Sequence, residues 1–157
     1  MNKTTSQMKK AFAKLLYENS NIVNLIDDKT IVYPDDLLGT HIFTRLKIDF
    51  TEQEVGSYIG LNISYPSVCS NELYKNYILT ILIVSHNDHV STRNGDSRVD
   101  LLGEEIVGLL NWNSNISFTL ELKSDVERVL DMNHYSRELV FKSITSNSVN
   151  NGVKVNG

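Results

Sequence analysis

Cysteine is almost missing from this chain: its 157 residues include only one, Cys69. A single thiol cannot form an intramolecular disulfide, so packing has to stabilise the fold, which is compatible with a reducing cytoplasm. Long apolar runs are missing too, because the longest near-continuous one, Tyr77–Val84, is far below the roughly 20 residues that span a bilayer. The polar segment Met1–Lys10 has no secretory signal pattern. We therefore expect neither membrane insertion nor export by a signal peptide.

An excess of positive charge is also missing. The formal net charge is −4 and the sequence pI is near 5.5, which argues against a surface dominated by phosphate contacts, since non-specific nucleic-acid affinity comes from clustered Lys and Arg. The chain instead has 41% hydrophobic and 22% charged residues, which is typical of a globular protein. Its length fits one domain with one core.

Apolar spacing predicts two principal helices. Residues 8–16 carry apolar side chains at the i, i+3, i+4, i+7 spacing of one helical face, and a serine or threonine just before them can cap the helix. A second helix over about 98–110 repeats the spacing. Ser97 followed by Asp100 resembles a capping arrangement at its start.

Alternating or continuous apolar residues predict five strands. The third has no polar alternation, so we expect it to be central with both faces covered. Pro66 should end the second strand because proline lacks the N–H that a ladder requires, and the polar link Thr51–Ser57 suits a hairpin between the first two strands. The predicted strands cover Thr44–Phe50, Tyr58–Tyr65, Ile78–Val84, Ile116–Leu122 and Tyr135–Ile144.

The segment Lys123–His134 has two interpretations: Ser124 and Glu127 suit a capping box for a short helix, and a long hairpin arm fits equally well. The whole pattern predicts a single α+β domain over residues 1–145, with a mostly antiparallel sheet of about five strands packed with the N-terminal and central helices. Residues 146–157, rich in Asn, Ser and Gly, are predicted to form a flexible tail.

The sharpest polar cluster is His86-Asn87-Asp88-His89, directly after the apolar third strand, where loops often carry function. A zinc site at His86 and His89 would need further ligands, and the other histidines, the cysteine and the carboxylates have no recognisable spacing to supply them. A solvated loop or a subunit contact is therefore the favoured interpretation, with metal binding as the alternative.

Enzymatic chemistry finds little support in the residue pattern. Glu121 and Lys123 have the local spacing of a metal-dependent nuclease, but the companion acids are missing from their neighbourhood, and the outward face of a strand explains the pair more simply. Neither Cys69 nor any serine sits in a nucleophile elbow, and no phosphate-binding glycine loop is present. We expect a protein that is not an enzyme and needs no cofactor.

A family resemblance is carried by the stretch Ile78–Leu110. An apolar strand is followed by a polar loop ending Asn94-Gly95-Asp96-Ser97, and Arg98-x-Asp100-Leu101-Leu102 then opens a helix. With an amphipathic helix and a β-hairpin before it and the pattern Tyr135-x-Arg137-x-Leu139-x-Phe141 after it, the chain resembles the tail terminator (tail completion, head–tail joining) proteins of long-tailed bacteriophages. The likeness covers the element order from Thr4 to Thr145.

The resemblance implies a structural virion protein, made in the host cytoplasm and located in the tail or neck. Such a protein forms a homo-oligomeric ring, typically hexameric, which caps the tail tube and joins it to a head-completion or connector protein. It implies no membrane contact and no sequence-specific nucleic-acid binding, with DNA able to pass through the ring.

We expect the His86–Ser97 loop to contact a neighbouring subunit, and the Arg98 and Asp100 pair to tie that loop to the helix or to the next subunit. The alternative hypothesis is a small metal-binding or nucleic-acid-processing protein that uses His86, Asp88 and His89. A third hypothesis is a cellular adaptor with an exposed sheet edge. The interface candidates are His86, Asp88, His89, Arg93, Arg98 and Asp100.

Overall fold

The structure, a computed structural model, describes residues 3–46, 54–68, 75–116 and 119–144. Their strands form one sheet in the order β1-β2-β3-β5-β4, antiparallel throughout except that β1 runs parallel to β2. The predicted single α+β domain with a mostly antiparallel five-stranded sheet is confirmed. In chain order the elements are α1 (Thr5–Tyr17), α2 (Ser20–Ile26), a 3₁₀ helix (Pro34–Leu37), β1 (Ile42–Phe43), β2 (Ser57–Val68), β3 (Lys75–His86), α3 (Arg98–Leu110), β4 (Thr119–Asp131) and β5 (His134–Ile144).

The first helix forms where the apolar spacing predicts it. Thr4 caps α1, since its hydroxyl accepts the Gln7 N–H at 3.2 Å while the Gln7 side chain accepts the Thr4 N–H at 2.9 Å. The helix packs over β1 and β2, and its inward face buries Met8, Phe12, Ala13 and Leu16. None of the helices described is long and apolar enough to cross a membrane.

The apolar third strand is the centre of the sheet, as predicted. β3 pairs with β2 on one side and with β5 on the other. Its Leu79, Ile81 and Ile83 are fully buried in the core, which the inward faces of all three α-helices help to form. On the opposite face Ile78, Thr80 and Leu82 are only half-buried. The helix-bearing face is therefore covered as predicted, whereas the opposite face is covered only in part.

Two strand predictions are wrong in detail. Residues 44–46 lie outside any strand, and β1 is a two-residue parallel strand just before them, so no hairpin joins β1 to β2. Residues 47–53, the rest of the predicted first strand and the start of its link, lie outside the described residues. Pro66 does not end β2 but lies inside it, at a register shift between Ser64 and Ser67, where an irregular ladder tolerates the missing N–H.

The central helix α3 has the predicted bounds, but its cap differs from the prediction. Ser97 occupies the N-cap position with no side-chain cap hydrogen bond, and Asp100 turns away to a guanidinium instead. The contact with Arg137 joins two opposite charges, whereas a backbone N–H carries no net charge.

Of the two interpretations of the segment 123–134, a short helix or a hairpin arm, the structure has the hairpin arm. β4 runs from Thr119 to Asp131 and β5 returns from His134, with Met132 and Asn133 between them. Leu120 anchors the inner part of β4 in the core, whereas every residue from 123 to 132 is exposed. Residues 117 and 118 of the predicted fourth strand, and the predicted tail at 146–157, lie outside the described residues.

Candidate functional site

All four histidines of the chain gather at one end of the sheet. His41 directly precedes β1, His86 ends β3, His89 follows in the next loop and His134 begins β5. Antiparallel pairing brings the start of β2 and β5 to the end of β3, because Ser57 pairs with Ser85 and His86 with His134. We call this region the histidine end.

The two histidines of the predicted loop point to opposite faces of the sheet. His86 lies one position past Ser85, and successive strand side chains alternate between faces. The His86 ring meets the His134 ring edge-on with 5.3 Å between centroids, and its Nδ1 accepts the Asp88 N–H at 3.1 Å. His89 instead places Nδ1 2.8 Å from the Ser57 hydroxyl. The loop sequence therefore does not form a shared two-histidine site.

A buried hydrogen-bond network occupies the inner side of the histidine end. The hydroxyls of Ser57 and Ser85 lie 2.6 Å apart and both residues are fully buried. His41 places Nδ1 2.9 Å from the Ser57 carbonyl oxygen and Nε2 2.6 Å from the Asp28 carboxylate. Both partners of His41 accept hydrogen bonds, so each contact is one that a ring N–H can make.

The charge states around this network differ by position. Hydrogen bonds from Thr30, and then from His41, lower the pKa of Asp28 to about 2, so its carboxylate is ionised at neutral pH. Burial, followed by the positive charge of Arg98, lowers the pKa of His89, which favours a neutral ring. A serine hydroxyl held this way is enclosed in the fold and is not exposed for nucleophilic attack.

An open pocket of about 480 Å³ lies beside His41, with Phe43, Arg45 and Tyr58 among its lining residues. The Tyr58 ring stacks on His41 with 5.0 Å between centroids, and the Arg45 guanidinium lies 5.4 Å from the Phe43 ring centre. Sites for small molecules usually enclose most of the ligand surface. This open hollow suits a side chain from another protein better than an enclosed ligand.

The metal-binding alternative gains no support from these positions. Within residues 3–46, 54–68, 75–116 and 119–144 no three His, Cys, Asp or Glu side chains are grouped so that they could hold a metal ion. His134 directs Nδ1 to Asp131 at 2.9 Å, and His86 and His89 diverge as described above. Cys69 lies outside the described residues.

The other predicted residues divide between the interior and the surface. Arg98 is 8% exposed and donates from Nε to the His89 carbonyl at 2.7 Å and from Nη1 to the Leu25 carbonyl at 2.6 Å. It therefore ties the loop to α2 within the same subunit. Asp88 and Arg93 are exposed and the Asp100 side chain is 42% exposed, so these three predicted candidates are accessible to a partner.

Sequence reasoning missed a cluster of three carboxylates around Arg137. Arg137 donates to Asp100 at 2.5 Å and to Asp125 at 2.6 Å, and its Nη1 lies 4.0 Å from Glu127. Gly103 of α3 leaves room for this side chain, since an added Cβ would lie 2.8 Å from Arg137 Cδ. The signal was present in the alternation that placed Arg137 beside Leu139 and Phe141, because an inward arginine needs acidic partners.

This cluster has more acidic groups than basic ones. The hydrogen bond with Asp125 is the main cause that raises the pKa of Arg137, which therefore stays charged. A hydrogen bond with the Asp100 carboxyl raises the pKa of Glu127. One guanidinium thus serves three acids, and the cluster retains negative charge at neutral pH.

The outer part of the β4–β5 hairpin exposes apolar side chains. Met132 at the turn is 92% exposed and Val129 is 69% exposed, with Val126, Leu130 and Tyr135 also exposed. We call residues 123–135 the arm. Several exposed apolar side chains on an edge strand are characteristic of contact surfaces and, left uncovered, of aggregation.

Comparison with known proteins yields one family. Residues 10–143 match the model of the family described as YomW. No curated protein matches the chain. The matched segment includes the histidine end, the carboxylate cluster around Arg137 and the arm.

Proposed function

The chain belongs to the YomW family, a family of phage type, and we propose that it is a tail terminator or closely related neck protein of a long-tailed phage. In this role it is a structural virion protein, not an enzyme. Copies of it form a ring that caps the tail tube and joins it to the head-completion complex.

The arm is the observation that carries this proposal. Its tip presents Met132, Leu130 and Val129 to solvent at 92, 47 and 69% exposure, while the core of the domain is already complete without them. Such exposure does not stabilise an isolated subunit, because apolar surface left in water lacks the stabilising free energy of about 25 cal/mol per Å² that burial would contribute. A subunit that is buried in an assembly recovers that free energy on docking.

The loop at the histidine end supports the same role. Arg98 holds the base of the loop against the fold, whereas Asp88 and Arg93 remain exposed on it. A rigidly based loop with charged side chains at its surface is suited to recognise a partner with little loss of conformational entropy. The loop therefore serves as a second assembly contact beside the arm.

The test uses the full-length protein, with light scattering and electron microscopy, alone and with tail tubes of the phage that encodes it, prepared without this protein. We expect closed rings and binding at tube ends. Only monomers, together with no end-binding, would overturn the proposal.

A pair of double variants locates the tube contact. Leu130→Asp with Met132→Asp should abolish end-binding, because two carboxylates cannot enter an apolar contact without a large desolvation cost. Val32→Asp with Tyr33→Asp is the matched control, since these side chains are 76 and 65% exposed but lie outside the arm. Equal loss in both variants would argue against the arm as the contact.

A further inference from the structure

Two segments that lie toward opposite edges of the sheet carry opposite excess charge. Residues 3–18, which include α1, contain four lysines and one glutamate. Lys9 lies over the β2 edge and donates to the Asn62 side chain at 3.3 Å, while Lys10 and Lys14 are exposed. We call Lys10 and Lys14 the basic face.

The opposite edge is acidic. Residues 98–131 contain seven carboxylates and three basic residues, and one of the three, Arg98, is turned into the fold. Asp100, Asp125 and Glu127 surround Arg137, and Glu104 lies exposed one helical turn after Asp100. We call the four carboxylates Asp100, Glu104, Asp125 and Glu127 the acidic ledge.

The acidic ledge is open to a partner. α3 packs on β3 and β5, so the outer half of β4 extends beyond it. The side chains of Asp100 and Glu127 are 42 and 50% exposed. A hydrogen bond with the Asp100 carboxyl raises the pKa of Glu127, so two acidic side chains lie side by side at this surface.

The two charged surfaces have the placement that a repeating contact needs. α1 and α3 lie on the same face of the sheet. α1 packs on β1 and β2 and α3 packs on β3 and β5, so the two helices lie toward opposite ends of the strand order. A surface that fits a different surface on an identical copy produces a head-to-tail contact, and such contacts close into rings when the rotation between copies permits.

We propose that the basic face of one copy of this chain docks on the acidic ledge of the next copy. The proposal rests on the ring of the proposed function and names its subunit contact. A second copy is the occupant that the charges favour, because the molecule carries both members of the complementary pair. A nucleic acid suits Lys10 and Lys14 less well, since a chain with net charge −4 opposes a polyanion.

Charge reversal tests the contact in the full-length protein. Lys10→Glu with Lys14→Glu reverses the basic face, and Glu104→Lys with Glu127→Lys reverses the acidic ledge. The matched control is Lys29→Glu with Lys142→Glu, which changes the same number of exposed lysines elsewhere. Circular dichroism confirms that each variant is folded, and light scattering measures the assembled mass.

Each reversed surface alone should reduce the mass to that of one subunit, whereas the control should assemble like the unchanged protein. A chain that carries all four reversals should recover assembly, because attraction is restored with opposite polarity. An equal mixture of the two double variants should also recover it, with alternating copies, if the ring has an even number of subunits.

The inference alone fails if the unchanged protein assembles and both double variants assemble equally well, or if the folded four-substitution chain stays monomeric. If the unchanged protein is monomeric both alone and with tail tubes, the proposed function fails and this contact fails with it. Recovery in the four-substitution chain is the result that supports the inference most directly, because a merely structural effect of the substitutions would not be reversed.

Discussion

The histidine end is a polar cluster at strand ends and at the start of α3, whereas the acidic ledge is built on α3 and the interior of β4, and the two clusters differ in how far their charges are paired. At the histidine end Arg98 is buried and its donors are satisfied by backbone carbonyls. At the acidic ledge Arg137 is 23% exposed and outnumbered by carboxylates. The first cluster stabilises the subunit by itself, whereas the second keeps unbalanced charge at the surface.

This difference indicates which polar residues stabilise the folded subunit and which act in the association of subunits. A buried charge that loses its partners is strongly destabilising, while exposed ion pairs contribute little to stability. Substitutions at the histidine end should therefore change the free energy of unfolding. Substitutions at the acidic ledge should change it less and change assembly more.

The largest effect is expected for Arg98→Ala. The change removes two charge-assisted hydrogen bonds and leaves the carbonyls of His89 and Leu25 without this donor, so we expect a loss of about 3 kcal/mol in the free energy of unfolding. Urea denaturation measures it. The exposed Arg93→Ala is the control, with a change within about 0.5 kcal/mol; equal effects would show that the Arg98 tether does not stabilise the loop.

A smaller loss, about 1–2 kcal/mol, is expected for Arg137→Ala, between the values typical of exposed and buried pairs. Removing the guanidinium leaves three carboxylates close together. Adding Asp100→Asn to Arg137→Ala should therefore recover part of the loss, and Lys142→Ala should leave stability unchanged. A double variant less stable than Arg137→Ala would contradict the unbalanced charge at the ledge.

The pH dependence of stability separates the two clusters further. The pKa of His89 is lowered from its ordinary 6.5 in the folded protein, so the unfolded chain takes up a proton first as the pH falls. Its contribution is complete above about pH 6.5 and is lost as the pH falls through the lowered folded pKa. We expect His89→Asn to flatten the decline in stability just below pH 6.5.

Asp28 does not obscure that measurement. Its pKa is lowered from 3.8 to about 2, so its contribution is lost only as the pH falls through that lower range. Identical pH profiles for the unchanged protein and His89→Asn, measured by thermal unfolding between pH 5 and pH 8, would refute the assignment to His89. This pH range includes the ordinary histidine pKa of about 6.5.

The smallest effect is expected for Glu127→Gln. Because the neighbouring Asp100 raises the pKa of Glu127, removal of this charge should leave the free energy of unfolding within about 0.5 kcal/mol of its original value or raise it slightly. Asp125→Asn is the contrast, since it weakens the 2.6 Å hydrogen bond to Arg137. A clear destabilisation by Glu127→Gln would mean that Arg137 depends on it after all.

Much of the fold was predictable because it depends on short-range periodicity. The helical spacing of Met8, Phe12 and Leu16 and the continuous apolar run of β3 each indicate a buried surface without reference to the rest of the chain. For the segment 123–134 the hairpin arm was one of two interpretations, and neither was favoured by local pattern. Its observed form depends on the pairing of β4 with β5 over almost their whole length.

The candidate site was predictable only in part. The pair Arg98 and Asp100 was predicted to tie the loop after β3; Arg98 does bind the His89 carbonyl, whereas Asp100 pairs with Arg137 of β5 instead. The metal-binding alternative at His86 and His89 gains no support, since the two rings have different partners, and sequence adjacency does not show which side of a strand end each ring will take. Arg137 was placed on the inward face, but its partners come from α3 and β4, 37 and 12 residues away.

The amino-acid sequence by itself determined the two principal helices, α1 and α3, which strand is central and which helical faces are apolar, since these follow from the spacing of neighbouring residues. Tertiary structure alone decided the parallel β1, the place of Pro66 inside β2, the divergence of His86 from His89 and the gathering of three carboxylates on Arg137. Those features depend on register between distant segments, and register is chosen by the packing of the whole sheet and its helices.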